Sequence, residues 1–317
     1  MAFEFLRDSK VYIVYNSTNY QLHVTPSVSF GQTFNQAEID KKTLHSQLNL
    51  FKGSSITSAN PANFSFTIPM ANGSSTHQHL PLDLLLDYSG NSLKTFTLYI
   101  DPDPIVGDAL SGSEKMYKLE DCVITNGTFN IPRAGNLSVE ISGEATKLSR
   151  ITGPFVSTIG AVSGGYVTNM TYSIPRVVDV AVAGNSLANV LSVGLEIQNE
   201  IEWTKNDTLQ QSLAVTNASN TIYPSSFVLA GRTLAGSITQ YINQASAQSY
   251  NNLMTWNENV AIHVKAGLSS SDYQLDIQLP ASSSSFTNRF NTAAAFTQSY
   301  DFRLMTSPAD LNTYFTY

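Results

Sequence analysis

The chain spells out one pattern twice, at a stride of about 165 residues. Val28, Phe30, Thr43, Leu44 and Leu48 are answered without a gap by Val193, Leu195, Thr208, Leu209 and Leu213. Asn60-Pro61 and the alternating Phe64 and Phe66 return as Tyr223-Pro224, Phe227 and Leu229, and Phe96, Leu98 and Ile100 return as Val260, Ile262 and Val264. Order and spacing carry the match, since literal identity is low. A chain of 317 residues holds two domains of ordinary size. The expectation is therefore a tandem of small β-domains, residues 1–159 and 160–317, occupying two adjacent positions in something larger.

The strands announce themselves by period-two alternation. Phe64, Phe66 and Ile68 face one way, with Ser65 and Thr67 between them; Leu137, Val139 and Ile141 alternate with Ser138, Glu140 and Ser142. Tyr273, Leu275, Ile277 and Leu279 do the same against Gln274, Asp276 and Gln278. So do Phe296, Tyr300, Phe302 and Leu304 against Thr297, Ser299, Asp301 and Arg303. Each strand can bury one face in a sandwich core and show the other to solvent or a neighbour. Each half carries one helical interruption. Pro81 opens a short helix with Leu82, Leu85 and Leu86 as its apolar stripe, and Ile238, Tyr241, Ile242 and Ala245 keep helical spacing in a segment ending near Asn252. The fold class expected is mainly β: two tandem β-sandwiches or open barrels, each with one short α-helix. The glycine-rich stretch 153–165 is short for a tether, so the halves should pack side by side. Residues 41–61 show no regular pattern, and their apolar members favour docking. A flap folded back over its own core is the other reading.

Charged residues make up only 13% of the chain, against roughly a quarter in an average globular protein. So sparse a charge fits either extensive self-association or an extracellular polar β-protein. Both halves are acidic, −3 over residues 1–165 and −4 over 166–317, which argues against tight binding to phosphate backbones. The single cysteine, Cys122, rules out an internal disulfide and reads as a small buried hydrophobe. No apolar run approaches membrane-span length, and the opening Met-Ala-Phe-Glu-Phe-Leu-Arg-Asp lacks the order of a secretory leader.

Chemistry is hard to find. His77-Gln-His79 could place two imidazoles together, with Asp83 as the near third ligand, but a polar turn is the ordinary reading. Asp101-Pro-Asp103-Pro with Asp108 lacks the spacing and closing glutamate of a calcium loop. No nucleophile elbow, phosphate-cradling loop or zinc-protease helix occurs. Trp203 and Trp256 could build a sugar-stacking platform, although aromatics along alternating strands usually serve cores and interfaces. The chain is expected to be no enzyme and to need no cofactor or metal.

The text from Thr43 to Pro69, TLHSQLNLFKGSSITSANPANFSFTIP, resembles the major tail-tube proteins of long flexible-tailed (siphovirus-type) bacteriophages. The duplicated layout resembles the subgroup in which one chain carries two fused tube domains. The resemblance implies six-fold rings whose inner strands join into one barrel, so that three chains close a ring with pseudo-six-fold symmetry. It also implies a structural role in the virion tail, assembly in the cytoplasm of the bacterial host, and no membrane insertion. The partners it implies are further copies of the chain, a tape-measure protein, tail terminator and tail-tip proteins, with double-stranded DNA as transient cargo. A lumen that passes DNA should be acidic and hydroxyl-rich, and Glu140, Glu196 and Asp276 are the expected lumen-facing acids. Leu48, Leu50, Phe51 and Ile56 are the expected contacts between rings. Two alternatives stand beside this reading: a secreted tandem β-sandwich that binds carbohydrate, and the tube of a contractile injection system, whose domains are generally single.

Overall fold

The computed structural model describes residues 9–41, 51–70, 78–102, 115–132, 135–153, 160–162, 174–175, 177–204, 222–241, 260–269, 272–281, 284–292, 296–305 and 311–317. It is a mainly β protein with several antiparallel sheets and, among the described residues, one short α-helix. In chain order the first elements are β1 (Lys10–Tyr15), β2 (Thr18–Leu22), β3 (Ser29–Gly31), β4 (Phe34–Lys41), β5 (Phe51–Ala59) and β6 (Ala62–Pro69). Next come α1 (Leu80–Leu86), β7 (Phe96–Asp101), β8 (Lys115–Asn130), β9 (Ser138–Ala145) and β10 (Lys147–Thr152). Then follow β11 (Val177–Val182), β12 (Asn185–Ser186), β13 (Val190–Trp203), β14 (Phe227–Tyr241), β15 (Ile262–Ser269), β16 (Asp272–Leu279), β17 (Ser284–Thr292), β18 (Phe296–Leu304) and β19 (Phe315–Thr316).

One sheet runs through the molecule as β3-β6-β9-β8-β13-β14-β18-β17. Alternation builds it: Phe64, Phe66 and Ile68 on β6, Val139 and Ile141 on β9, Leu195 and Ile197 on β13, and Tyr300 and Phe302 on β18 all point inward. A second layer covers that inward face. Beside the first half it is β2-β1-β7 together with the opening residues of β8; beside the second half it is the five-stranded sheet β12-β11-β15-β16-β19. Ile13, Leu98 and Ile100 of the one, and Val264 and Ile277 of the other, join the same buried cluster as the inward residues of the long sheet. Phe64 meets Phe96 edge-on across the layers at 5.9 Å.

Strand β8 serves both layers, because its first part pairs with β7 and β10 and its last part with β9 and β13. Asp121, at φ +49, marks the bend where it changes sheets. Close backbone approach explains two glycines. A Cβ on Gly143 would lie 2.4 Å from the Phe64 ring and 2.2 Å from the Val123 carbonyl. One on Gly236 would lie 2.3 Å from the Phe302 ring and 2.6 Å from the Gly194 carbonyl.

Two stretches depart from the sequence expectation. Ile238 and Tyr241 belong to β14, not to a helix: Ile238 is fully buried while Tyr241 is exposed, so they lie on opposite faces. Ile238 belongs instead to the period-two inward set Leu234, Gly236, Ile238 and Gln240 of β14, a strand paired on both sides, with β13 and with β18. Residues 242–252 of that expected helix lie outside the described residues. The stretch 41–61, expected to lack regular structure, contains β5, which pairs with β4 along its length as a separate two-stranded sheet. Its sequence, FKGSSITSA, has no regular apolar–polar alternation to betray it.

Candidate functional site: the polar face of the long sheet

The face of the long sheet turned away from the core is built by the polar half of each alternation. It presents Asn63, Ser65 and Thr67 on β6, Ser138, Glu140, Ser142 and Glu144 on β9, and Asn126, Thr128 and Asn130 on β8. Beyond the midline it presents Glu196, Gln198, Glu200 and Glu202 on β13, Thr233, Ser237 and Thr239 on β14, and Thr297, Ser299, Asp301 and Arg303 on β18. On β17 the same rows pass through register positions 285, 287, 289 and 291. Six carboxylates therefore face one arginine among the described side chains of this surface.

Neighbouring strands tie these side chains into cross-strand pairs. Ser29 and Ser65 hydroxyls are 2.8 Å apart, and Thr239 and Ser299 hydroxyls 3.1 Å. Asn126 donates to Glu196 at 2.9 Å and Arg303 donates to Thr233 at 3.0 Å, while the Trp203 indole on β13 reaches past β8 to donate to Glu144 on β9 at 2.5 Å. Thr128 lies opposite both Glu140 and Glu196, so the two expected lumen acids share one row with a threonine between them. Two strand spacings, about 10 Å, separate such carboxylates. They are too far apart to share a proton or grip one cation, yet close enough to sum into a negative, hydrated wall.

Asp276 is placed elsewhere. It lies on β16 in the five-stranded sheet, 4% exposed, with its carboxylate 2.5 Å from His263 Nε2 and 3.7 Å from Lys265 Nζ. It shares neither sheet nor face with Glu140 and Glu196, because β16 pairs with β15 and β19 in the five-stranded sheet. Ile56 is 36% exposed midway along β5, Phe51 begins that strand, and Leu48 and Leu50 lie outside the described residues.

The other candidates resolve into structural roles. His79 is buried at the start of α1 with its pKa lowered to about 4 by desolvation, and its neighbour Gln78 bridges the backbone of His23 through both amide atoms. His77 lies outside the described residues, and among those described no group of three or more metal-ligating side chains exists. Asp101 is buried at the end of β7, while residues 103–114 lie outside the described set. Cys122 is fully buried, and burial pushes its thiol pKa up. Trp256 also lies outside the described residues.

Sequence reasoning missed the residues that join the halves under this face. Asn199 and Arg232 lie opposite each other on β13 and β14, on the inward side. Arg232 Nη2 donates to the carbonyls of Leu85 and Leu86 at 2.8 and 2.9 Å, its Nε donates to Asn199 Oδ1 at 2.7 Å, and Asn199 Nδ2 donates to the Leu85 and Ile124 carbonyls. The Leu85 and Leu86 carbonyls are the last of α1, where a cation is favoured. Asn199 standing inward between Ile197 and Ile201 was the legible signal.

A spread acidic face on a continuous sheet is a wall rather than a reaction centre, the mark of a structural protein of a tube or baseplate. The chain belongs to the Bacteriophage Baseplate Tube Protein Family, whose model matches residues 1–316. That family is structural, not enzymatic. No curated protein matches the chain. Among solved structures, it is similar to a chain of the sheath–tube complex of PVC, an extracellular contractile injection system in the extended state. That match has 11% identity and a TM-score of 0.36, and it covers 46% of this chain and 89% of that one. It is also similar to chains of the anti-feeding prophage. For the tube-terminating cap the figures are 11% identity, TM-score 0.37 and coverage of 48% and 94%; for the baseplate they are 12%, 0.35, and 48% and 95%. Likeness at this level carries no further argument.

Proposed function

We propose that three copies of this chain close a ring of a phage tail tube, with the polar face of the long sheet turned to the lumen. The observation that carries the reading is the continuous eight-stranded sheet, acidic on one face and covered on the other. Pairing order supports two fused tube domains at residues 1–159 and 160–317: β3-β6-β9-β8 in the first is followed by β13-β14-β18-β17 in the second. Size favours three copies. At a spacing of about 4.8 Å and a tilt of about 40°, twenty-four strands close at about 48 Å across and sixteen at about 32 Å. Side chains take about 5 Å from each wall, and only the wider bore passes a duplex with its counterions.

In this reading double-stranded DNA is cargo, repelled weakly by Glu140, Glu144, Glu196, Glu200 and Glu202 rather than bound. Asp276, ion-paired in the other sheet, is no part of the wall. The β4–β5 arm, with Ile56 and the neighbouring Leu48, Leu50 and Phe51, is the contact to the next ring. Partners are further copies of the chain, a tape-measure protein threaded through the bore, and the tail terminator and tail-tip proteins that end the tube.

Negative-stain microscopy with mass photometry across a concentration series tests the ring. Annuli of three chains are expected, while a monomer at every concentration overturns the reading. The resemblance of Thr43–Pro69 assigns the ring to the tube of a long flexible tail; rings that stack without limit support that assignment, and rings that stay single point to the baseplate. Glu140→Lys with Glu196→Lys should slow DNA ejection several-fold through counterion capture. Unchanged ejection kinetics would remove these acids from the lumen.

A further inference from the structure

Within each chain, the last strand of the first four-strand set meets the first strand of the second. Residues 126–130 of β8 pair antiparallel with residues 194–198 of β13. The two ends of the long sheet are the counterparts of these partners. Among the described residues β3 pairs only with β6, and β17 only with β18.

The ladders fix the correspondence residue by residue. The close phenylalanine–glycine pair Phe64↔Gly143 on β6 and β9 has its counterpart in Gly236↔Phe302 on β14 and β18, with the large and small members exchanged. On one side of these pairs, Phe64 lies opposite Phe30 and Gly236 opposite Leu195. Phe30 therefore corresponds to Leu195. Four residues along the other strands, Val139 lies opposite Phe129 and Gln298 opposite Phe290. Phe290 therefore corresponds to Phe129. Leu195 and Phe129 face each other across the internal seam.

We infer that the β17 edge of one copy pairs antiparallel with the β3 edge of the next, in the register Ser29↔Asn291, Phe30↔Phe290 and Gly31↔Arg289. The inference rests on the ring reading and names its joint. The partner is a second copy of this chain, because the internal seam supplies the template and both edges belong to every copy. The contact is heterologous, so a rotation that fits closes it into a ring and leaves no edge exposed. The internal seam is reinforced from below by Arg232 and Asn199 on the α1 carbonyls. Four residues past Phe30, the position corresponding to Asn199 is Phe34, where the ladder has left β3 for the β4–β5 arm. The joint between copies lacks that clamp on its β3 side, which makes the single chain the durable unit and the ring the reversible one.

Paired cysteines test the register, since opposed strand residues lie at disulfide distance. Under a mild oxidant that takes up two electrons and two protons per bond, Ser29→Cys/Asn291→Cys should give a covalent ladder ending at three chains. Thr128→Cys/Glu196→Cys, across the internal seam, should close within one chain and leave the mass unchanged. Rings visible by microscopy whose Ser29→Cys/Asn291→Cys form stays uncrosslinked, while the internal control closes, would overturn this joint and leave the ring standing. Monomers at every concentration would overturn both.

Discussion

The two ends of α1 are held by the second half of the chain in different ways. At the C-terminal end a permanent charge, Arg232, spans the Leu85 and Leu86 carbonyls with Asn199 beside it. At the N-terminal end the grip is titratable. Tyr317 donates a hydrogen bond to Asp83, and its ring stands edge-on to His79 at 5.2 Å. Buried Pro81, Leu82, Leu84, Leu85 and Leu86 fill the space between. One seven-residue helix thus fastens the halves with a pH-indifferent end and a pH-sensitive end.

The largest effect should come from the Arg232 end. Arg232→Met keeps the stem's packing but strips two helix carbonyls and the Asn199 amide oxygen of a charged donor. That should cost about 3 kcal/mol in denaturant unfolding. Arginine stays charged throughout, so the loss should be the same at pH 5 and pH 8. A loss that grows or vanishes between those values would show that the two ends are coupled, and the comparison would fail.

His79 provides the second test. Its folded pKa, lowered to about 4, lies below its ordinary 6.5, so the unfolded chain takes up a proton first as pH falls. Stability is intact above about 6.5 and declines toward 4, by about 2 kcal/mol between pH 8 and pH 5. Asp83 works in the opposite sense. Burial is the main cause raising its pKa, with Asp87 adding to it and the Tyr317 bond opposing it, so its contribution is lost as pH rises. Comparing wild type with His79→Gln isolates the histidine: the variant should lack the 2 kcal/mol decline, read from urea midpoints at the two pH values. An identical slope in both proteins would remove His79 as its source.

The N-terminal grip was half legible in the sequence and the C-terminal grip hardly at all. Pro81 and the leucine spacing announced α1, because helix starts and apolar stripes are local signals. That Tyr317, 234 residues from Asp83, would close over it depends on β19 pairing with β16, which no local signal encodes. The same division runs through the fold. Inward Phe64, Phe66 and Ile68 were readable from alternation. Of the sixteen-residue β8 only Cys122 was read, as a small buried hydrophobe, because a strand that serves two sheets changes its buried face at the bend. Of the polar face, Glu140 was legible as the outward member of an alternating strand, and Glu196 was named with it among the expected lumen-facing acids. Asp276 had the same local signature, but the His263 and Lys265 that bury its charge reach it only through the β15–β16 ladder.

Tyr317→Phe should have the smallest effect and the most specific one. Removing the hydroxyl leaves the ring against His79 and deletes only the bond to Asp83, a loss of about 1 kcal/mol. That bond favours the Asp83 carboxylate against its burial, so without it the Asp83 pKa should rise further. The Tyr317→Phe penalty should therefore be largest near neutral pH and shrink in acid, where Asp83 is protonated in both proteins. This runs opposite to the His79 decline and differs from the flat Arg232 loss. NMR titration of the Asp83 side chain reads the shift directly. A pKa unmoved by the substitution would mean that the hydroxyl does not hold this end of the helix.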